Sequence, residues 1–515
     1  MAARRSLLHI RRPLCSMDTS TSTSTSRKGK GKVEVKQVRR GHSYHDSLTS
    51  LIQNASFVAL DAEMTGVAST PWRESFEWDS ADVRFLKLRH SASRFALLQF
   101  GLCPFIPQRD ASSGVLSFVA HPHTFHLSPS SSSEGDDDDD DDEFLCQTSS
   151  LHFLAAHRHD FNTSLRHGLS YLSRAREKAA SAAPVPSTES AIGFRHLIDL
   201  LSSHNKLIVG HNCILDIAHM FDKFIAPIPS TMEQFMKEVH QIFPNIVDTK
   251  HIINANQTVQ LLMRNKSKSL SSAFSSLCPT ISSGGSHRSV RASDVNVKVQ
   301  AHDNEGSSLF NSGAKHEAGY DAFMTGCVFS QLCVHVGIKF DQVLSNPSIS
   351  DPLQSNVKLK PYLNHLYPTW NSGTVLDFTT GTEKPEGTYK QKYPKVELKN
   401  IVLIWGFSSV LKYKNLKGCI AKVFGPDSVI SVFFIDTTAA LIQFKKEEFV
   451  KDFLALKENL ERRKYDPISI LHPLSVIFEG GNTKAGDYNT YKDVIAYNQS
   501  KVLFTDQADA SGVAC

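Results

Sequence analysis

Carboxylates follow three apolar segments of this sequence, and a histidine accompanies the last of them. The residues are Asp61 and Glu63 in FVALDAEMTG, Asp216 in LIVGHNCILDIAHM, and His316 and Asp321 in HEAGYDAF. A buried carboxylate is costly unless it pairs or binds a metal. Four carboxylates that converge on one point would repel each other, and divalent cations would offset that repulsion. The pattern therefore predicts a fold in which these motifs meet at a metal site.

The spacing within each motif predicts how its acid is held. Asp61 and Glu63 are two apart on a predicted strand, so both point to one face at the strand's C-terminal end, where α/β sites form. Asp216 follows the apolar strand KLIVG in the first turn of a helix, where complementing the helix dipole is the alternative role. His316 and Asp321 lie at the start of an apolar helix. Each motif alone also fits a structural role, and the three together favour catalysis.

Composition limits the class of protein. With 515 residues, the chain has room for about three domains of roughly 150 residues each. The net charge of +4 permits a nucleic-acid partner without requiring one. The nine cysteines form no CxxC pair, which argues against a structural zinc site or a disulfide framework. No apolar run reaches the ~18 residues that a membrane span needs, so no membrane partner is expected.

Residues 1–40 differ in composition from the rest and are predicted to be a disordered leader. MAARRSLLHIRRPLCSM contains four arginines and no acid, and a Ser/Thr run follows it. An Arg-rich, Ser-rich and acid-poor leader is typical of a transit peptide and predicts mitochondrial import, whereas a basic tail is the alternative. A start at Met17, with RKGKGK at 27–32, leaves a nuclear or cytoplasmic form as an alternative location.

Strands that alternate with helices over 41–340 predict an α/β domain with a mixed sheet. Two stretches interrupt this domain. The Ser-rich stretch 128–143 contains seven consecutive aspartates and is predicted to be a solvated acidic loop. The Ser/Gly/Asn-rich stretch 279–313 is predicted to be a disordered insertion.

A second, smaller unit follows a Pro/Gly/Lys-rich stretch, 341–397, that is predicted to be a linker. Residues 398–478 have a β-α-β-β-α order and resemble an RNA-recognition motif, an α+β module that stacks bases on the aromatic side chains of its sheet. Trp405 and Phe434 are the candidates for such stacking, and a generic small domain with core aromatics is the alternative. The tail 479–515 is predicted to be loose.

The motifs also resemble a known family. Their order, DxE then HNxxxD then HxxxxD, is that of the DEDD 3′-exonucleases with a histidine in the last motif. FLCQTSS and HEAGYDA, with further matches across about 41–335 and into the C-terminal domain, look like the poly(A)-specific ribonucleases of the CAF1-like superfamily, plant branch. This resemblance implies a ribonuclease H-like fold, a homodimer, and hydrolysis of the 3′ poly(A) tail of RNA with release of 5′-AMP.

The resemblance also implies roles for individual residues. Two Mg²⁺ ions, or Mn²⁺ in their place, would be held by Asp61, Glu63, Asp216 and Asp321. Such ions clamp the attacking and leaving oxygens of a phosphodiester displacement, and they prefer oxygen ligands. His316 would orient or activate the water, because histidine titrates close to neutral pH.

Substrate contacts are implied by the same resemblance. The residues are Val67, Leu151, Phe153 and Lys250. The lysine could meet a phosphate and the apolar residues could pack against bases, with ordinary core packing as their alternative. Only residues 173–190 replace the additional RNA-binding domain of animal members, and Phe434 stands where relatives carry a cap-binding tryptophan. Because of these two departures, the resemblance does not imply that this chain degrades RNA processively or that its activity depends on a 5′ cap.

Three functions stay open at this point. They are a deadenylase, a 3′ trimmer of small non-coding RNAs, and an RNA-binding scaffold with an inactive nuclease core. All five active-site positions carry the required residue types, which favours an enzyme. Asp248, in the motif VDT, is predicted to be a helix cap and not a ligand.

Overall fold

A computed structural model describes most of the chain. The described residues are 33–109, 116–128, 143–171, 173–175, 178, 193–282, 296–299, 310–312, 314–343, 353–368, 373–386, 396–463, 465–479 and 482–497. The strands are β1 Glu34–Val38, β2 Phe57–Met64, β3 Leu97–Arg109, β4 Leu116–Ala120, β5 His123–His126, β6 Ile208–Gly210, β7 Ile246–Asp248, β8 Asn296–Val299, β9 Phe310–Ser312, β10 His365–Leu366, β11 Thr374–Asp377, β12 Thr382–Pro385, β13 Ile401–Trp405, β14 Val429–Phe434, β15 Ala439–Phe444 and β16 Lys484–Asp487.

Helices connect these strands. They are α1 His45–Asn54, α2 Ala81–Arg94, α3 Thr148–Ala156, α4 Phe161–His167, α5 Arg195–Ser203, α6 Ile214–Phe224, α7 Met232–Ile242, α8 Thr249–Ala255, α9 Gln257–Leu262, α10 Leu270–Leu277, α11 Pro279–Ser282, α12 Ala318–His335, α13 Phe340–Val343, α14 Tyr413–Phe424, α15 Glu448–Arg462, α16 Pro467–Ile470, α17 Ser475–Phe478 and α18 Tyr488–Tyr497, with 3₁₀ turns at Pro71–Arg73, Lys360–Tyr362 and Leu398–Asn400.

The first domain is built on a mixed sheet, as the sequence predicts. Its strand order is β7-β6-β2-β3-β5-β1-β9, and β4 pairs with β3 and with β8. β2 pairs in antiparallel with β3 and in parallel with β6. Along β2, Val58 and Leu60 enter one apolar cluster while Phe57 and Ala59 enter the other. Both faces of the sheet are therefore covered, which explains why the strand is apolar throughout until its acids begin.

Two stretches predicted to lack structure supply strands to this sheet. Within the predicted leader, β1 pairs with β5 and β9. Within the predicted insertion, 296–299 pairs with β4 and 310–312 pairs with β1. The prediction of disorder is wrong at these positions, because each short strand is held by backbone hydrogen bonds to strands that are distant in the sequence. Residues 1–32 and the acidic stretch 129–142 lie outside the described residues.

The prediction of a linker over 341–397 is wrong for residues 353–368 and 373–386. A three-stranded sheet, β10-β11-β12, forms there and packs on the first domain through Leu366 and Leu376. The side chain of Asn364 accepts a hydrogen bond from the N–H of Ile246 at 2.9 Å and donates one to the carbonyl of Pro244 at 2.7 Å. A few buried residues thus fix a segment whose composition is that of a linker.

The second domain has a four-stranded sheet in the order β14-β15-β13-β16. Its last strand, β16, and the following helix α18 come from the predicted loose tail, so that prediction is wrong for residues 482–497. β16 pairs in antiparallel with β13 from Val402 to Trp405. One face of the sheet packs against α14 and α15 through an apolar cluster that includes Leu416, Ile420 and Phe453.

The other face of this sheet packs against the first domain. Trp72, Phe76 and Trp78 form one apolar cluster with Trp405 of β13 and Tyr491 of α18. The Trp72 indole donates a hydrogen bond to Asp436 at 2.7 Å, and the Phe76 ring centroid lies 4.8 Å from that of Phe433. An apolar aromatic interface of this kind holds two domains in a fixed relation.

A buried ion pair lies beside this interface. The Lys87 ammonium donates hydrogen bonds to Asp79 at 2.9 Å, to the Tyr491 hydroxyl at 2.9 Å and to the carbonyl of Glu74 at 2.7 Å. The Tyr491 hydroxyl in turn donates to Asp79 at 2.8 Å. Burial lowers the pKa of Lys87 to about 8, and the charge of Asp79 opposes that shift.

Replacing Lys87 with methionine is expected to lower the free energy of unfolding by about 3 kcal/mol, because it leaves the Asp79 charge buried without its cation. Urea unfolding followed by tryptophan fluorescence would measure the loss. The double variant Asp79→Asn/Lys87→Met removes both charges and should recover most of it. A loss below ~1 kcal/mol for Lys87→Met would show that the pair contributes little to the interface.

Candidate active site

Three of the predicted site residues meet at the ends of β2 and α12. Glu63, His316 and Asp321 each offer a ligand atom, and these atoms all lie within 4.8 Å of one another. The imidazole Nδ1 of His316 lies 3.9 Å from a carboxylate oxygen of Asp321. Two oxygen donors and one nitrogen donor, from segments far apart in the sequence, therefore share one small volume.

Asp61 and Asp216 lie outside that cluster but close to it. Asp61 shares the sheet face of Glu63 and is half-buried. Asp216 is in the first turn of α6, which begins just beyond β6, the parallel neighbour of β2. Burial raises the pKa of the Cys213 thiol well above its usual range, and the charges of both aspartates add to that rise. Both carboxylates therefore lie within electrostatic range of one thiol.

Two glycines allow α12 to reach the acidic strand. Gly101 lies opposite Asp61 in the β2–β3 pair. A Cβ at Gly101 would be 1.9 Å from the carbonyl oxygen of Ala318, and one at Gly319 would be 2.4 Å from the hydroxyl of Thr124. Only glycine permits this closeness, because any side chain would displace the start of the helix. The first turn of α12 thus lies directly on the sheet.

The loop before α12 has an unusual backbone conformation. His316 has a φ of 67°, in the left-handed region that few non-glycine residues adopt. Its N–H donates a hydrogen bond to the Asp321 carboxylate at 3.3 Å. The neighbouring Glu317 accepts hydrogen bonds from Gln37 at 2.6 Å and from Thr124 at 3.0 Å. Through these two hydrogen bonds, the carboxylate of Glu317 attaches the loop before α12 to β1 and β5. The loop in turn orients His316.

Replacing Glu317 with alanine is expected to lower kcat about 10- to 100-fold at unchanged KM, as loss of an orienting group near a metal site does. Glu317→Gln keeps an oxygen acceptor for Gln37 and Thr124 and should retain most of the activity. Initial rates on an oligo(A) RNA would separate kcat from KM. If both variants lost activity equally, the charge of Glu317 and not its hydrogen bonding would be responsible.

The Asp321 carboxylate is buried, and only 8% of the residue is exposed. Burial raises the pKa of Asp321 to about 7, and the charge of Glu317 adds to the rise while the N–H of His316 opposes it. A carboxylate in such surroundings is stabilised in its charged form by a cation at short range. The donor set is dominated by hard oxygen atoms, which suits a divalent ion such as Mg²⁺ or Mn²⁺.

An aromatic wall stands beside His316. Its ring centroid lies 4.6 Å from that of Phe153 on α3 and 4.2 Å from that of His157 at the C-cap of α3. Phe153 is a predicted substrate-binding residue and His157 is not, although the two are four apart at the end of one helix, a spacing that brings side chains together. The Nδ1 of His157 donates to the carbonyl of Phe153 at 2.8 Å, which leaves its Nε2 as an acceptor.

Val67 and Leu151 lie near the same wall. The side chain of Gln147, which precedes α3, accepts hydrogen bonds from the N–H of Val67 at 3.0 Å and of Ala68 at 3.2 Å. Val67, Leu151 and Phe153 are all half-buried, so each keeps some surface open to a ligand. Their assignment to substrate binding stays a prediction. Gln147, in the motif FLCQTSS, is the residue that joins the Val67 loop to α3.

Lys250 lies in the first turn of α8, after the cap Asp248. Its ammonium donates to the carbonyl of Lys268 and lies 5.8 Å from the ring centroid of Tyr367. Asp248 accepts hydrogen bonds from the N–H groups of Lys250 at 2.8 Å, Asn212 at 2.8 Å and Tyr367 at 3.0 Å. The predicted role of Asp248 as a helix cap is confirmed, and it extends to two further segments.

Trp405 and Phe434 of the second domain, which are predicted to stack on bases, are buried to different extents. Trp405 is only 8% exposed and belongs to the aromatic interface with the first domain. Base stacking on Trp405 would require that interface to open. Phe434 is partly buried against the helix side of the sheet, where its ring lies 5.9 Å from that of Phe407. Phe433, one residue earlier, faces the first domain and contacts Phe76.

Comparison with known proteins identifies the family. A model of the CAF1 family ribonucleases matches residues 41–185 and 185–329. A model of the RNA-recognition domain of the poly(A)-specific ribonuclease PARN matches residues 395–510. Poly(A)-specific ribonuclease PARN of Arabidopsis thaliana is 37% identical, over 91% of this chain and 86% of that protein. This chain belongs to the poly(A)-specific ribonuclease family. The family resemblance and the α/β nuclease fold predicted from the motifs are thereby confirmed.

A further relative and a solved structure match with lower identity. The pre-piRNA 3′-exonuclease trimmer of Bombyx mori is 23% identical over 41% of this chain and 56% of that protein. The structure of S. pombe Pop2p in its Mg²⁺ and Mn²⁺ bound form aligns with a TM-score of 0.36 at 18% identity, over 63% of this chain and 94% of that one. Among the described residues, no helix has the length and apolar character to cross a bilayer.

Proposed function

We propose that this chain is a 3′-to-5′ exoribonuclease that shortens the poly(A) tails of RNA by hydrolysis and releases 5′-AMP. The observation that carries the proposal is the cluster of Glu63, His316 and Asp321, within 4.8 Å, with Asp61 on the same strand as Glu63 and Asp216 in the first turn of the helix that follows the neighbouring strand β6. The relatives named poly(A)-specific ribonuclease support the choice of substrate. Clustered, partly buried carboxylates cost folding free energy, and an RNA-binding scaffold without nuclease activity does not require them.

Four carboxylates would hold the divalent ions of this nuclease. They are Asp61, Glu63, Asp216 and Asp321. Bound Mg²⁺ or Mn²⁺, with two ions expected, would polarise the scissile phosphate and stabilise the charge that develops on its oxygens. Burial of Asp321 and the raised pKa of its carboxyl fit a site that a cation completes. Cys213 is not a candidate ligand, because hard ions such as Mg²⁺ prefer oxygen ligands to thiolates.

His316 has the position of the group that accepts a proton from the attacking water. Its imidazole is half-buried and lies against Phe153 and His157, while its backbone is held by Asp321. That wall keeps bulk water away from one side of the ring and fixes its orientation. A histidine held in this way can take a proton near neutral pH and pass it to solvent.

The decisive experiment compares tails of different bases. The full chain, with Mg²⁺, is given labelled RNAs that end in matched oligo(A), oligo(U) and oligo(C) tails. Stepwise shortening of the oligo(A) tail alone, stopped by EDTA, is the expected result. Equal shortening of every tail would contradict adenosine preference and favour a general 3′ trimmer, and no shortening at all would favour the scaffold.

A 3′ trimmer of small non-coding RNAs is the second candidate. The similarity to the Bombyx mori trimmer over 41% of this chain is the observation that favours it. A structured small RNA with a short unpaired 3′ extension discriminates the two functions. Trimming of a mixed-sequence extension as fast as an oligo(A) extension would select the trimmer, whereas a large preference for the oligo(A) extension would select the deadenylase.

Two further predictions come from the sequence alone. A homodimer is expected from the family, and sedimentation of the purified chain over a range of concentrations would measure it.

Mitochondrial import is expected from the composition of residues 1–40, and most of that leader lies outside the described residues. A fluorescent protein carrying residues 1–40 should enter mitochondria, and the same fusion with its arginines replaced by alanine should not.

A further inference from the structure

The usual RNA-binding face of the second domain is occupied by the first domain. Ile401, Leu403 and Trp405, which lie on that face of β13, are buried in one cluster with Trp72 and Trp78. The buried Lys87–Asp79 ion pair and its bonds to Tyr491 of α18 reinforce the same contact. RNA that reaches the second domain of this closed arrangement must therefore meet a different surface.

A basic surface is available on α14. Between Glu397 and Asp427 the sequence contains five lysines and no acidic residue, in a chain whose charges are nearly balanced overall. We define the lysine face as Lys412, Lys414, Lys417 and Lys422, which lie on α14 or at its N-cap. Leu416 and Ile420 turn the opposite side of the helix into the core. The lysines therefore project away from the sheet.

The lysine face is open and carries an aromatic side chain. Lys412, Lys414 and Lys422 are exposed, and Tyr413 is 40% exposed. The Lys417 ammonium lies 5.9 Å from the ring centroid of Tyr413, which leaves its charge available to an anion. Among the described residues, none of these lysines forms an ion pair with a carboxylate.

The same surface continues beyond the C-terminal end of α14. The ring centroid of Phe424 lies 5.8 Å from that of Phe449, and the Lys446 ammonium lies 5.9 Å from the Phe449 ring. Of the acids beside Lys446, Glu447 pairs with Lys451 at 3.3 Å. Uncompensated lysines with an exposed aromatic ring are the combination that binds single-stranded nucleic acid.

We propose that the lysine face binds the sugar–phosphate backbone of the RNA upstream of the tail that the active site shortens. The contact would be electrostatic and independent of base sequence, because ammonium groups meet phosphates and not base edges. It would hold the body of the RNA while the 3′ end is degraded. This inference rests on the proposed function, since it assigns the second domain a role in binding the same substrate.

The test compares two RNAs and two charge-reversal variants. One RNA is oligo(A) alone, and the other carries a long unstructured oligo(U) extension on the 5′ side of the same oligo(A). Lys414→Glu/Lys422→Glu reverses the lysine face, and Lys237→Glu/Lys298→Glu makes the same change in charge on exposed positions of the first domain. Fluorescence anisotropy with Ca²⁺ in place of Mg²⁺ measures Kd, and oligo(A) shortening with Mg²⁺ is measured in parallel.

The unaltered chain and the control variant should bind the extended RNA about tenfold more tightly than oligo(A) alone, and the lysine-face variant should bind both equally. The salt dependence of log K for the extended RNA should become shallower by about 1.4, which is ~0.7 for each lost phosphate contact. If the lysine-face variant still bound the extended RNA about tenfold more tightly than oligo(A) alone, the proposal would be overturned, and the lysine face would bind a different partner. Failure of every protein to shorten oligo(A) would instead contradict the proposed function.

Discussion

Replacing Asp61 with asparagine is expected to lower kcat for oligo(A) shortening about 10³-fold, which corresponds to roughly 4 kcal/mol of activation free energy. Asparagine keeps the shape of the side chain and removes its charge, and hard divalent ions favour anionic oxygen ligands. The fold should remain intact, because Asp61 lies at the edge of the core and the change reduces repulsion among neighbouring carboxylates. Initial rates over a range of Mg²⁺ concentrations would measure the loss.

An exposed acid provides the matched control for this substitution. Asp46→Asn removes one charge in the first turn of α1 and should leave kcat unchanged. Thermal unfolding should give a Tm at or above that of the unaltered chain for Asp61→Asn, and a Tm close to it for Asp46→Asn, which loses only a small interaction with the helix dipole. A loss of activity smaller than tenfold for Asp61→Asn would mean that Asp61 is not a ligand, and that Glu63, Asp216 and Asp321 suffice.

The periodic and apolar parts of the fold could be predicted from the sequence. The strand containing Asp61 and Glu63 and the helix containing Asp321 are long apolar segments, and their burial on both sides fixes them in the core. A period of two along a strand also predicts that Asp61 and Glu63 share a face. These inferences depend only on local chemistry, so no knowledge of distant contacts is needed.

The errors occur where a distant contact decides the structure. Residues 353–386 have the composition of a linker, yet Leu366 and Leu376 meet a core formed by other parts of the chain. Trp405 was a candidate for base stacking, and its burial depends on Trp72 of the other domain. The sequence of the tail does indicate a helix, because Tyr488, Tyr491 and Ile495 have the spacing of one apolar helix face. The residues that orient the site, Glu317 above all, were missed because hydrogen-bond partners leave no local pattern.

Gly101 offers the most direct test of how the fold assembles the active site. Replacing Gly101 with alanine is expected to lower the free energy of unfolding by about 3 kcal/mol or more, because its Cβ would lie 1.9 Å from the carbonyl oxygen of Ala318. The neighbouring atom belongs to a helix backbone, which cannot rotate away as a side chain can. The start of α12 must therefore move off the sheet, and Asp321 moves with it away from Glu63.

Activity should fall further than stability alone explains. At a temperature where Gly101→Ala remains folded, kcat should be lower by about 10²-fold, since a displacement of ~1 Å in a catalytic group has that effect. Gly418→Ala is the control, because a Cβ there meets no atom within 4 Å, and a glycine-to-alanine change inside a helix should raise stability by about 0.5–1 kcal/mol. Chemical denaturation and oligo(A) kinetics on the same preparations would separate the two effects. A fully active Gly101→Ala protein would show that the contact between α12 and β3 can relax without moving Asp321, and that the glycine serves packing alone.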